Sequence, residues 1–249
     1  MGLVAIIVIG VAVFSKPNDM LDNNANSEEQ NVQQEEEKQE ILLDVGIKKS
    51  EAVVGKEVTF GSYVQKTWGE PGEIEWIIVS VSNGKAFLVS KYILDYKPYN
   101  EKYEDITWAE CSIREWLNND FYKTAFTEAE RNFIQLSTLE NKAQTGSLAE
   151  GVDGKVTNDY VFLLSCSEIY KYLKDNRVTE PTDYAAEVFL KGNRNEMYIN
   201  QWFTRTTGRT QSSVAEVHAD GSVSTVNGGG MSVAVESGIR PAIWVELVD

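Results

Sequence analysis

Histidine occurs once in this 249-residue chain, at His218, and cysteine twice, at Cys111 and Cys166. One imidazole excludes a zinc centre built on two or more, and any hydrolase whose relay histidine would lie elsewhere in the chain. Basic residues are also scarce: 23 Lys and Arg face 38 Asp and Glu, a formal net charge of −15. A field of that sign repels phosphate backbones and anionic membrane surfaces, which argues against nucleic acid as a partner. What the chain does have is 42% hydrophobic residues, with 6 Trp, 11 Tyr and 9 Phe. That is enough for one sizeable core.

Charge is missing altogether from residues 1–14 (MGLVAIIVIGVAVF). As a helix this run would span about 21 Å, short of a ~30 Å hydrocarbon core, and it lacks the basic stretch that leads a signal peptide. The expectation is an export signal or membrane anchor, whole or truncated, that places the remainder outside the cytoplasm. Membrane contact is then expected through this segment only. Residues 15–40 reverse the composition: two basic and eight acidic residues give −6. Such a stretch buries too little apolar surface to offset its ordering entropy. The expected organisation is therefore a signal or anchor at 1–14, an acidic disordered linker at 15–45 and a single globular domain at 46–249.

Within that domain, residues 57–63 (EVTFGSY) alternate as a half-buried strand does. Residues 74–81 and 85–92 are β-rich and flank Ser82-Asn83-Gly84, and Asn-Gly between such runs predicts a hairpin. Asp220-Gly221 predicts a second hairpin over 214–226, and residues 240–247 read as a last strand. Between these lie three capping-box signatures, Ser112-x-x-Glu115, Thr127-x-x-Glu130 and Ser165-x-x-Glu168, and a fourth helix opened by Pro181 and closed by Gly192. Strands at both ends with three to four helices grouped between them predict an α+β fold with a mostly antiparallel sheet.

Several groups could carry chemistry. Cys111 and Cys166 adjoin helix starts, where thiols can be activated, but they read as small buried side chains; a disulfide between them stays open. The acidic stretches 95–105 (DYKPYNEKYED) and 153–159 (DGKVTND) offer oxygens to Ca²⁺ without the spacing of an EF-hand loop. No cofactor is expected, with calcium the one ion left open. A two-carboxylate hydrolase needs a facing pair of acids that spacing alone does not select among 38. The aromatics Tyr96, Tyr99, Tyr103 and Trp108 crowd one segment and form the candidate ligand-binding set, since exposed rings stack on sugars and peptides. The alternative is that they close the core beneath a long loop. Arg205 and Arg240 lie in apolar, β-rich surroundings, so each is expected to pair with a carboxylate or with backbone carbonyls.

The run TWAECSIREWLNNDFYKTAF (107–126), then VFLLS (161–165), WFTRTTG (202–208) and GIRPAIW (238–244) occur in that order. Together they resemble a family of bacterial, mostly Gram-positive, extracytoplasmic domains of unknown function. The pair W-x-x-R-x-x-G and G-x-R-P-A is similar to that of C-type-lectin-like folds, the formylglycine-generating-enzyme-like group included. The calcium triplets of sugar-binding lectins are not reproduced: the nearest segments are Glu180-Pro181-Thr182 and Trp116-Leu117-Asn118. The cysteine pair of the formylglycine-generating enzymes is not matched by Cys111 and Cys166 either. The resemblance implies a surface-tethered recognition or adhesion domain for a glycan, a peptide or a surface protein. The alternatives are a two-carboxylate hydrolase and a structural module of the cell envelope.

Overall fold

The hairpin at Asn83-Gly84 forms around left-handed backbone, with φ of +52° at Asn83 and +72° at Gly84. It joins β2 (Pro71–Ser82) to β3 (Lys85–Ser90), and β1 (Glu57–Val64) pairs with the far side of β2. The fourth strand of this antiparallel sheet is β11 (Ala242–Glu246), which pairs with β3 to give the order β1-β2-β3-β11. In the computed structural model, residues 45–143, 154–192, 195–224 and 229–249 are described, together with Gln33. The expected signal or anchor at 1–14 and nearly all of the expected linker at 15–45 lie outside the described residues, as do residues 225–226 at the end of the expected second hairpin.

A second sheet has the order β4-β10-β7-β8-β9, from β4 (Asp95–Pro98), β10 (Glu236–Ile239), β7 (Trp202–Thr207), β8 (Ser213–Val217) and β9 (Met231–Ser232). Its pairings are antiparallel except for a single parallel contact between β10 and β7. A separate two-stranded sheet pairs β5 (Ser137–Asn141) with β6 (Gly154–Asp159). The fold is α+β, as the pattern predicts, and Ile41–Asp249 forms one compact unit.

The helices fall between β4 and β7. The first, α1 (Ser112–Trp116), runs through a π-helical turn (Leu117–Phe121) into α2 (Tyr122–Ala125). Then come α3 (Glu128–Arg131), α4 (Cys166–Tyr172) and α5 (Asp183–Lys191). Two of the three capping boxes form as read, Thr127 with Glu130 and Ser165 with Glu168. The third does not: Cys111 occupies the cap of α1, and the Ser112 N–H donates instead to Asn100 Oδ1 at 3.2 Å. Among the described residues no helix is long and apolar enough to cross a membrane.

The core is closed by ring stacking between layers. Phe87 of β3 lies parallel to Trp244 of β11 (4.7 Å, 8°) and faces Phe162 at 5.8 Å. Trp76 of β2 stacks on Phe126 at 6.3 Å while its indole N–H donates to the Phe60 carbonyl at 2.7 Å. Gly61 (φ +73°) lets the backbone meet this cluster, for a Cβ there would lie 2.6 Å from the Phe126 ring and from the Ala125 carbonyl. Left-handed backbone and overpacking each cost an L-residue about 1 kcal/mol or more. Gly61→Ala is therefore expected to lower unfolding stability by about 2 kcal/mol, read as a shift in denaturation midpoint at unchanged slope.

Candidate functional site

Arg205 is the organising side chain. It is 4% exposed at the centre of β7, beside α4. Its backbone N–H donates to the Leu164 carbonyl at 3.0 Å, and its guanidinium lies over the Phe162 ring at 5.7 Å. Nη1 donates to the Leu163 carbonyl at 2.9 Å and to Glu168 Oε2, Nη2 to Glu168 Oε1 at 3.0 Å, and Nε to Asn141 Oδ1 at 3.1 Å. Glu168 has a second duty: its Oε2 accepts the Ser165 N–H at 2.8 Å, which completes the cap of α4. One fork-to-fork ion pair thus fixes the start of α4 to β7, and Asn141 ties in β5. Arg240 follows the other branch of the expectation, donating to the carbonyls of Ser90 (2.8 Å) and Asn176 (2.7 Å). Burial pushes its pKa down to about 9.

Above the Arg205–Glu168 pair opens a cleft of about 470 Å³, walled by Thr138, Glu140 and Lys142 on one side and Ser165, Ser167 and Thr206 on the other. Cys166 also contributes to the wall and is 7% exposed, and its N–H donates to Thr206 Oγ1 at 3.0 Å. A second cleft of about 370 Å³ is lined by Asn83, Lys85, Gln135, Leu136, Phe162 and Trp244, among others. Both clefts include Thr138, Leu139 and Glu168, so they adjoin and run along β5. The walls offer hydroxyl, amide and charged groups to a polar ligand.

The aromatic set read from sequence is corrected here. Tyr96, Tyr99 and Trp108 are 3%, 2% and 1% exposed, and only Tyr103, at 72%, stands at the surface. The segment is not a loop bearing rings outward: its start is β4, and its side chains are drawn into the core. Tyr96 packs on Phe189 at 4.8 Å, and Tyr99 meets Phe203 at 5.9 Å and Trp108 at 6.2 Å. Their polar tips are satisfied inside, Trp108 Nε1 on Asp159 Oδ2 (2.8 Å), Tyr99 on the Arg205 carbonyl (3.2 Å) and Tyr96 on the Ile199 carbonyl. Three of the four rings are therefore closed to a ligand. The half-buried aromatic that does line a cleft is Trp244, in the GIRPAIW motif.

Both acidic stretches considered for calcium hold structural carboxylates. Asp159, fully buried at the end of β6, accepts from Trp108 Nε1, Arg114 Nε (2.7 Å) and Thr157 Oγ1 (2.8 Å). Asp95 accepts from the Tyr63 hydroxyl and from the Tyr96 N–H, each at 2.8 Å. Among the described residues no three His, Cys, Asp or Glu side chains are grouped to hold a metal ion. Cys111 and Cys166 are both buried and form no disulfide. Burial pushes the Cys111 thiol up to about 12, so it should resist thiol reagents at pH 8 until the chain is unfolded. Mass spectrometry after native and denatured labelling checks this; rapid native labelling of Cys111 would contradict it.

A second polar cluster went unseen in the sequence. The registers Phe203↔Glu216 and Gly238↔Trp202 put Gln201, Glu216, His218 and Ser237 on one face of the five-stranded sheet. Gln201 Oε1, Glu216 Oε2 and Ser237 Oγ are buried there without a hydrogen-bond partner among the described residues. His218 Nδ1 lies 3.7 Å from Glu216 Oε1 and 3.5 Å from Gln201 Nε2. Burial pushes the Glu216 carboxyl up to about 7.

Fold and cleft together define an α+β domain of three largely antiparallel sheets, with a groove set over an ion pair between buried Arg205 and half-buried Glu168. Residues 83–247 match the family described as a domain of unknown function (DUF6273), and the chain belongs to that family. The match begins in the β2–β3 turn, so β1 and all of β2 lie outside it although they complete the first sheet. No curated protein and no solved structure matches the chain.

Proposed function

We propose that this domain is a recognition module that holds a ligand in the groove along β5 and does not transform it. The observation that carries the reading is how the groove's carboxylates are engaged. Glu168 is committed to Arg205 and to the Ser165 N–H, and Glu140 pairs with Lys142 at 2.8 Å. Lys142 also holds the Glu140 carboxyl below its ordinary range. A two-carboxylate hydrolase needs one of its acids to keep a proton near neutral pH. The carboxyl raised by burial, Glu216, does not line these clefts, which favours binding over hydrolysis. Extracytoplasmic placement, tethering by residues 1–14 and the acidic stretch after them, bacterial origin and lectin-like kinship belong to the same proposal. The ligand is then a cell-surface glycan, peptide or protein. A structural envelope module would have no use for a lined groove above a fixed floor.

A screen of the full chain against glycans, peptidoglycan fragments and linear peptides, with and without Ca²⁺, tests this. Ser167 is exposed on the cleft wall, so Ser167→Trp should fill the groove without disturbing the core. Binding weakened about tenfold or more by that variant (~1.4 kcal/mol), and unchanged by chelation, is the expected result. Absence of any ligand, or binding indifferent to Ser167→Trp, would remove the reading; a fall on chelation would restore a calcium site.

A further inference from the structure

The geometry points to an extended peptide as the occupant of the groove, added as a further strand on the outer edge of β5; this rests on the recognition reading above. The ladder joins β5 to β6 through Ser137↔Asp159, Thr138↔Asn158 and Leu139↔Thr157, and no other described strand joins that sheet. Beyond that ladder, Leu136 to Asn141 take part in no backbone–backbone hydrogen bond among the described residues. An unpaired edge of this kind is a template for another extended chain.

The lining of the clefts shows that the edge is what faces the groove. Gln135, Leu136, Ser137, Thr138 and Leu139 line one cleft in unbroken succession, and Thr138, Leu139 and Glu140 line the other. Successive strand residues point their side chains to opposite faces. A wall to which every consecutive residue contributes is therefore formed by the strand's edge and not by one of its faces. The devices that usually blunt an edge are weak here. No proline interrupts STLEN, and the register shift falls between Leu139 and Asn141, leaving Ser137–Leu139 regular.

The facing walls define what the peptide carries. At one end Leu136 is 54% exposed beside half-buried Trp244 and the Phe162 ring, an apolar seat with Lys85 at its margin. At the other end are the hydroxyls of Ser165, Ser167 and Thr206, with Glu140 already paired to Lys142. The ligand is an extended segment with an apolar side chain for the Trp244 end, an acidic group for Lys85, and small polar residues beyond.

The test uses random linear peptides displayed against the full chain, and then an N-methyl scan of each binder. Strand addition uses the peptide's N–H groups at every second residue. N-methylation is thus expected to weaken binding about tenfold at alternate positions and little at those between. Amide exchange at Leu136–Asn141 should slow in the complex. Loss without the two-residue period, or protection confined to other segments, overturns strand addition. Glycans that bind and quench Trp244 fluorescence, with no peptide binder found, overturn the peptide inference and leave the recognition groove intact. Failure of both ligand classes overturns both.

Discussion

Arg205→Met, with Glu168 left in place, is expected to lower unfolding stability by about 3–5 kcal/mol. The side chain removed is 4% exposed and satisfies Glu168, the Leu163 carbonyl and Asn141 together. Its loss leaves the Glu168 carboxylate, 23% exposed, without its guanidinium and the buried Leu163 carbonyl without a side-chain donor, and a charge that loses its partner costs more than the pair contributes. Small domains have about 5–15 kcal/mol in total, so the variant should be marginal. The comparison that isolates the cause is Arg205→Met with Glu168→Gln. Glutamine keeps the capping geometry of α4 but carries no charge, so the double variant should be more stable than Arg205→Met alone. Urea denaturation of the three proteins decides it. If Arg205→Met lies within half a kilocalorie of the parent (roughly the scatter of surface substitutions), the pair does not fix the groove. The same variant should abolish ligand binding at temperatures where it stays folded, because the floor and the start of α4 lose their common anchor.

Glu216 gives the second large effect, and its sign is opposite to that of a paired surface acid. The folded chain holds this carboxyl's proton up to about pH 7, while an unfolded glutamate releases it near the ordinary value of about 4.3. Between those limits the folded state binds more protons than the unfolded one. Stability contributed by this group is therefore complete below about pH 4.3 and declines as pH rises through 7, by ~4 kcal/mol in all. Glu216→Gln removes the titration and keeps the shape. It should match the parent near pH 4 and exceed it at pH 8, and chemical denaturation at a series of pH values reads the difference directly. Equal stability at pH 8 would show that the carboxyl finds a compensating partner. His218 lies 3.7 Å away, so His218→Asn measured in parallel separates its share.

Much of the architecture was legible because local physics determines it. Asn83-Gly84 needs left-handed backbone and receives it, and the boxes at Thr127 and Ser165 close because the Glu three residues on reaches back. Arg205 and Arg240 could be read as structural since no long cation stays bare in an apolar strand. The failures are tertiary. Ser112 and Glu115 have the right spacing, but Asn100 reaches the same N–H from another segment. Tyr96, Tyr99 and Trp108 look like a platform in sequence because Lys, Glu and Asp are interleaved with them; the ring contacts and hydrogen-bonded ring tips that bury them are set by partners far along the chain. The groove itself had no local signal. Its walls come from β5, α4, β7 and β11, and Trp244 is recognisable as a lining residue only when β11 stands beside β3.

The place of β11 in the first sheet has a consequence for how the protein is made. Residues 57–90 can form a three-stranded meander as soon as they leave the ribosome, but β3 then shows an open edge until synthesis has passed residue 246. Ile134 and Phe162, which bridge to β11, are left waiting over the same interval. The nascent chain thus carries an apolar, unpaired edge (Ala86, Phe87, Leu88 and Val89) through most of its translation. That interval is when chaperone capture and edge-to-edge association would compete with folding. Stalled intermediates ending before residue 242 should be the aggregation-prone species, and those extended past 246 should not.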